Sequence, residues 1–452
     1  MCSKHERAQK GDVLSFALVG LLLNMRHFEE ADRVITEITP TTNNALRLAR
    51  IRAQYYSESG DTDQAVSHLE PILDRKRGEV DGLVSLASIY AKGQRQADVH
   101  RIAEWIAPEF DSRSDVAELR SWQAAHRGDF AAARSLWMQG SIRHLRPSRA
   151  LDSPLVSNRK SGAAPKLQLF AFLRDEIDRL PYFLDYYRKL GVKRFLLVDN
   201  DSSDGSYEYL KAQNDVMVFW TEQRYSQSSS GVQWMNHLIE RYGGNGWILH
   251  VDVDEFLVLP NIEECRLDDH YLPYLESRGY EAVRACMIDM YAKSVRKAAE
   301  YEPGEDPLNC CPHFDSNLEF TGNVIPPYWK VSGGVRDRIF GQPGMLLMKT
   351  PLLRSGIGTK LISSSHFVTP VKVSDLTGAV LHYKFLGSFR ERVEVEANRR
   401  EHWNGSMRVV QIRDQLDNAG RADWTYPGTE SYRDSQQLID LGLIQPGDFR
   451  NQ

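Results

Sequence analysis

The sequence predicts an α/β protein preceded by an all-α block, and three observations carry that prediction. From residue 12 to about 140 apolar residues recur at helical spacing in a pattern that repeats. From residue 167 onward, short β-branched and aromatic runs alternate with amphipathic helices. One run, ILHVDVDEFLVL at 248–259, reads as an apolar strand driven into three carboxylates, Asp252, Asp254 and Glu255. A chain of 452 residues exceeds one ordinary core, so two or three domains are expected. Its charged fraction of 26% and hydrophobic fraction of 42% are those of a soluble globular protein. With 56 basic against 61 acidic residues the net charge is −5, which gives no general reason to expect a nucleic-acid partner. Cys2, Cys265, Cys286, Cys310 and Cys311 are odd in number and form no C-x-x-C pair, which argues against a disulfide framework or a zinc site. A reducing, cytoplasmic compartment is expected, with a peripheral place at the inner membrane surface left open. The apolar run Val13 to Leu23 is too short to span a bilayer and lacks a small-residue cleavage site, so it is read as a core helix and no transmembrane segment is expected.

In the helical block, turns are marked by Arg26, Gly60, Gly93 and Gly128, spaced 34, 33 and 35 residues apart. Five positions after three of these markers stand Ala31, Ala65 and Ala133, and nine positions after all four stand Ile35, Leu69, Ile102 and Trp137. A small residue where two helices cross and a large one a turn later suit the packing of a helix pair. The pattern resembles tetratricopeptide repeats, most clearly in SESGDTDQAVSHLEPIL and AHRGDFAAARSLWMQG, although Asp98 replaces the alanine of the third unit. A generic helical bundle stays open. Either way residues 1–145 are expected to serve as a scaffold for a protein partner, for self-association or for docking on the rest of the chain.

Residues 146–166, rich in polar residues and proline, are the expected linker. After it come strand Leu167 to Phe172, helix Leu180 to Leu190, strand Arg194 to Asp199, helix Ser206 to Gln213, strand Val216 to Trp220, helix Gly231 to Tyr242 and then the acidic strand. Such alternation implies a mostly parallel sheet, which binds ligands at the carboxyl ends of its strands. Two such ends carry polar clusters, Arg174-Asp175-Glu176 and Asp199-Asn200-Asp201-Ser202-Ser203. Helix capping accounts for several of these residues by itself.

Asp252 and Asp254 stand two apart, so on an extended backbone both point to one side, where two carboxylates can share a hard divalent cation that bridges the phosphates of a nucleotide. Solvated acids at a strand end are the plain alternative, but the flanking runs Trp247 to Val251 and Phe256 to Leu259 read as buried, and buried acids are costly without a cation.

Through these junctions and the Asp-X-Asp pair, residues 167 to 400 resemble glycosyltransferase family 2-like proteins, and more closely the family-92-like branch, which implies a GT-A (Rossmann-like) catalytic domain. The resemblance continues through SGGVRDRIF at 332–340, MKTPLL at 348–353, SSSHFV at 363–368 and AVLHYKFLGSF at 379–389. It implies that Asp252 and Asp254 hold Mn²⁺ or Mg²⁺ against the diphosphate of a nucleotide-sugar donor, with His382 as third ligand. It further implies that Asp199 and Asn200 read base and ribose, that Arg174 and Glu176 flank the nucleotide, and that Gln233 and Asn236 approach the donor sugar. For Gln233 and Asn236 a solvated helix face remains the alternative.

Transfer of the sugar needs charge neutralisation, a base and exclusion of water. Arg336 and Lys384 are chosen as helping cations over Arg338 and Lys349. Asp289, an acid in an apolar strand, is the candidate base of an inverting enzyme, with Asp337, Glu319 and His366 as rivals. Tyr291, Tyr328, Trp329 and Trp403 are candidates to stack on an acceptor sugar. Prolines between 300 and 330 suggest a loop over the acceptor side, and residues 401–452 suggest a closing helical extension.

Two functions of different class are carried forward. One is a metal-dependent, inverting glycosyltransferase acting on a glycan or glycoconjugate. The alternative is a non-catalytic helical-repeat scaffold fused to a degenerate glycosyltransferase domain. Hydrolysis by paired carboxylates is a weaker third reading.

Overall fold

The computed structural model describes residues 14–451 except 24–26, 43, 74–78, 142–155, 158–162, 295–297, 299, 322–329, 343–344, 363, 388, 400–406 and 420–422. Arg26, most of the expected linker, Ser363, Pro326, Pro327, Tyr328, Trp329 and Trp403 therefore lie outside the described residues. The chain divides into two compact units, Met1–Arg143 and, in the main, His144–Gln452.

The first unit is helical: α1 (14–23), α2 (Phe28–Glu37), α3 (Ala45–Glu58), α4 (Thr62–Leu69), α5 (Val80–Lys92), α6 (Gln96–Trp105), α7 (Ser114–His126) and α8 (Phe130–Ser141). The expected small and large positions are its packing positions. Ala31, Ala65 and Ala133 are fully buried, as are Leu69 and Ile102, while Ile35 and Trp137 are nearly so. Burial of each large side chain contributes roughly 1.5–3 kcal/mol. Gly60 and Gly128 take φ of +94° and +81° directly after α3 and α7, the left-handed geometry that ends a helix. In the third unit Gly93 is not left-handed and Gln94 takes the positive φ of 57° instead. Asp98, which breaks the alanine pattern, pairs with Arg95 and Arg101. In α1, Phe16, Val19 and Leu23 are buried while Leu14, Leu18 and Leu21 are exposed. Among the described residues no helix is long and apolar enough to cross a membrane.

The second unit is built on a nine-stranded sheet. Its strands are β1 (Val156–Ser157), β2 (Leu167–Leu173), β3 (Phe195–Asp199), β4 (Val216–Trp220), β5 (Trp247–His250), β6 (Glu255–Val258), β7 (Ala282–Asp289), β11 (Met348–Arg354) and β14 (Gly378–His382). They lie in the order β1-β4-β3-β2-β5-β11-β7-β14-β6. The strands β4, β3, β2 and β5 run parallel, β14 runs parallel to β7, and only β1, β11 and β6 oppose them. The crossover helices α9 (Leu180–Lys189), α10 (Ser206–Ala212) and α11 (Val232–Tyr242) cover both faces. Leu169, Ala171 and Leu197 pack with Phe183 and Leu210 on one side, whereas Phe170, Leu196 and Val198 pack with Trp234 and Leu238 on the other. Burial on both faces explains why these strands read as continuous apolar runs rather than alternating ones.

Four expectations change here. Residues 248–259 are not one strand: β5 ends at His250, β6 begins at Glu255, and Val251 to Asp254 form the turn between them. The chain leaves the middle of the sheet there and rejoins it at the far edge, with β11, β7 and β14 between. The residues after 400 are also no separate extension. The short strands β8 (His313–Asp315) and β15 (Thr429–Ser431) pair with each other. Helix Ser435–Asp440 follows, and Leu438, Leu443 and Ile444 join the same core as Leu257 and Cys286. Residues 300–321 likewise contain strands rather than an open loop, since β9 (Glu319–Thr321) pairs with β10 (Lys330–Ser332), and further on β12 (Leu361–Ile362) pairs with β13 (Phe367–Val368). Strand β1, inside the expected linker, forms the sheet edge.

Candidate functional site

The acidic turn is tied down from both sides. Glu255 donates its N–H to the Asp252 carbonyl at 3.0 Å, and its carboxylate accepts from the Asp252 N–H at 2.8 Å. The Asp254 carbonyl accepts from the N–H of Tyr383, just past the end of β14, at 2.8 Å. This last bond brings the turn to His382, the terminal residue of β14, whose strand neighbours are Glu255 on β6 and Asp289 on β7. His382 Nδ1 lies 2.6 Å from Asp289 Oδ1, and its Nε2 faces Asp254 Oδ2 at 3.5 Å. The other oxygen of Asp289 accepts from Arg336 Nε at 2.6 Å. Sequence reasoning thus selected residues that converge: Asp252, Asp254, His382, Asp289 and Arg336 stand together at the carboxyl ends of β5, β7 and β14.

Charge sets their protonation. Burial works against the His382 imidazolium, but Asp254 and Asp289 outweigh it and raise the pKa to about 9. Burial also opposes ionisation of Asp289, yet Arg336 and His382 bring it to about 2. Asp289 is therefore poorly suited to be the base for which it was chosen, because both oxygens are engaged and its affinity for a proton is low. Lys384 is shifted downward by burial and by Arg336, against the pull of Asp254 and Asp289.

Three further residues belong to this site. Lys349, ranked behind Arg336 and Lys384 as a helping cation, is 1% exposed and bridges Asp252 Oδ2 at 3.0 Å and Glu255 Oε2 at 2.5 Å. Burial, then Asp252, raises the Glu255 carboxyl to about 7. Arg179 is buried, bonds Glu176 at 2.7 Å and the Tyr383 carbonyl at 3.4 Å, and its field reaches Asp254. His250 ends β5 beside Asp252 with its Nε2 buried and unpartnered, its pKa lowered to about 4 by burial and by Lys349. Pro351 in MKTPLL marks a bulge in a central strand but does not say which residues Lys349 meets.

The expected nucleotide residues divide. The junctions after β2 and β3 brace one another, for Asp175 N–H donates to Ser202 Oγ, Glu176 N–H to Ser206 Oγ and Ile177 N–H to Asp204 Oδ2. Asp199 is buried with Oδ1 bonded to the Ser202 N–H and Oδ2 unpartnered. Asn200 spends its amide N–H groups on the carbonyls of Thr221 and Gln223, so it joins the ends of β3 and β4. Arg174 donates to the Asn200 carbonyl at 2.9 Å. Glu176 is held between Arg179 and Arg392. Gln233 is partly exposed and bonds Ser229 Oγ at 3.4 Å. The amide of Asn236 makes reciprocal bonds of 2.8 and 3.0 Å with the backbone of Leu361. Tyr291, a candidate for sugar stacking, is fully buried and bonds Asp315 at 2.6 Å.

Two carboxylates and an imidazole are the candidate donors for a cation here. Asp254 Oδ2 and His382 Nε2 face each other, and the buried Asp252 Oδ1 has no hydrogen-bond partner. Among the described residues no three His, Cys, Asp or Glu side chains close into a complete ligand cluster.

No family model matches the chain, and no curated protein matches it. Among the solved structures that match is a mutant of the Thermobaculum terrenum O-GlcNAc transferase, at 14% identity and a TM-score of 0.27, covering 54% of this chain and 46% of that one. The chain spans less than half the length of that structure, and a likeness of this size leaves the chemistry to be read from the residues alone.

Proposed function

We propose that the second unit is a metal-dependent glycosyltransferase of the GT-A kind, moving a sugar from a nucleotide-diphosphate donor to a glycan or glycoconjugate acceptor. The observation that carries this reading is the meeting of Asp252 and Asp254 with His382, whose far nitrogen is held by Asp289. A carboxylate that fixes one imidazole nitrogen orients the other as a ligand. The parallel run β4-β3-β2-β5 and the buried, half-satisfied Asp199 support a nucleotide site at the adjoining strand ends.

In this reading Asp252, Asp254 and His382 would hold Mn²⁺ or Mg²⁺, which supplies charge neutralisation on the leaving diphosphate. Lys384, for which no ion pair within 4 Å is found among the described residues, adds positive charge on the same side. Arg336 and Asp289 position His382. In an inverting transfer the acceptor oxygen forms its bond to the anomeric carbon as the diphosphate oxygen departs, and the acceptor proton passes to a base. With Asp289 engaged by Arg336 and His382, His366 is the rival for that role, with its Nδ1 2.7 Å from the Met348 carbonyl. Incubation of the full chain with Mn²⁺ and a panel of nucleotide sugars, followed by assay of released nucleoside diphosphate, tests the proposal. Turnover that disappears with chelator supports it, and no turnover or nucleotide binding across the panel overturns it.

A further inference from the structure

Lys349 is an unusual neighbour for a cation site. It sits on β11, where the register against β7 slips by one residue between Lys349 and Leu352. Pro351, which has no N–H to donate, lies within that bulge. A bulge re-aims the side chains beside it, and Lys349 Nζ reaches Asp252 Oδ2 at 3.0 Å and Glu255 Oε2 at 2.5 Å. The ammonium therefore takes one oxygen of the very carboxylate whose other oxygen, Oδ1, is buried and unpartnered.

We propose that Lys349 is a positioning residue that makes cation binding conditional on the diphosphate. This inference rests on the glycosyltransferase reading above. A divalent cation arriving alone at Asp252 meets a fixed positive charge on the same carboxylate and is repelled at short range. A nucleoside diphosphate reverses the balance, because its oxygens attract both the metal and the ammonium, so Lys349 opposes the first ligand alone and favours the two together. Linkage makes the coupling reciprocal: the cation must strengthen nucleotide binding by the same factor as the nucleotide strengthens cation binding. The acidic turn would then not fill with free cation and would select the metal–diphosphate complex.

Calorimetric titration of the full chain tests this, with Mn²⁺ alone, with UDP, GDP, ADP and CDP alone, and with Mn²⁺ in the presence of whichever nucleotide binds. Wild type should bind Mn²⁺ at least tenfold more tightly with the nucleotide than without it. Lys349→Met should bind Mn²⁺ alone at least tenfold more tightly than wild type, and its coupling ratio should fall well below the wild-type ratio while staying above one, since the diphosphate still attracts the metal directly. Lys349→Arg, which keeps the charge, should retain the wild-type ratio. Where Lys349→Met does not fold because Glu255 is left without its cation, Lys349→Met combined with Glu255→Gln carries the same expectation. A wild type that binds Mn²⁺ with nucleotide, together with a Lys349→Met ratio equal to wild type, overturns the role of Lys349 and leaves the glycosyltransferase reading standing. A wild type that binds neither overturns both.

Discussion

His382 and Asp289 are joined side chain to side chain at 2.6 Å, across neighbouring strands that run parallel and pair these two residues in register. The bond ties Nδ1 of the ring, so the direction of Nε2 toward Asp254 follows from strand register rather than from a flexible rotamer. Arg336 completes a buried row, Arg336–Asp289–His382–Asp254, in which positive and negative groups alternate.

Asp289→Asn distinguishes positioning from base catalysis. Removing one charge from a buried pair costs about 3–5 kcal/mol where nothing replaces it, and an amide retains part of the hydrogen bonding, so a loss of about 2–3 kcal/mol in unfolding free energy is expected. Loss of an orienting carboxylate weakens a metal site by about 10–100-fold, so Mn²⁺ affinity measured with nucleotide should fall by that factor. Unchanged affinity with a collapsed kcat would return Asp289 to the role of base.

Asp254→Ala should weaken metal-dependent nucleoside diphosphate binding by at least about tenfold, because a hard cation with few protein ligands loses one of them. The fold should survive, since the bond that pins the turn to Tyr383 uses the Asp254 carbonyl. Calorimetry with and without Mn²⁺, alongside circular dichroism, checks both parts. Equal Mn²⁺-dependent affinity in variant and wild type would remove Asp254 from the ligand set.

The legible part of this fold was the part built from local contacts. Strand Val216–Trp220 has the bounds expected from its sequence, and helix Leu180–Lys189 ends one residue early, because apolar run length and flanking polar residues mark crossover units well. The acidic segment misled because two short strands divided by a four-residue turn carry the same apolar letters as one long strand. Lys349 was illegible for a different reason. Its partners Asp252 and Glu255 lie 97 and 94 residues away, and nothing local says that β11 inserts between β5 and β7. Asn236 is a second case, a polar residue on a plausible helix face whose amide is matched to a backbone 125 residues away.

The His382 shift gives a pH dependence with a definite sign. Its folded pKa of about 9 lies above the ordinary histidine value of 6.5, so the folded state binds the proton more tightly than the unfolded chain. The stabilisation is complete below pH 6.5 and is lost as pH rises through 9, by at most about 3 kcal/mol. Thermal unfolding of the cation-free protein between pH 6 and 10 should show the decline, and His382→Gln should flatten it. An unchanged slope in the variant would assign the decline to other groups.

Asn236→Ala should damage stability and spare the ligand. The side chain accepts from the Leu361 N–H at 2.8 Å and donates to the Leu361 carbonyl at 3.0 Å, which fastens α11 to the short strand Leu361–Ile362. Truncation leaves both backbone groups without their partner in a part-buried setting, a loss of about 2 kcal/mol in unfolding free energy. Nucleotide and nucleotide-sugar affinities should stay within about twofold of wild type, since no hydrogen bond of Asn236 reaches the acidic turn. Denaturant unfolding and calorimetry on the same preparation separate the outcomes. A stable variant with weakened donor binding would restore Asn236 to the sugar site and require helix α11 to turn toward the turn at Asp252–Asp254 when the donor binds.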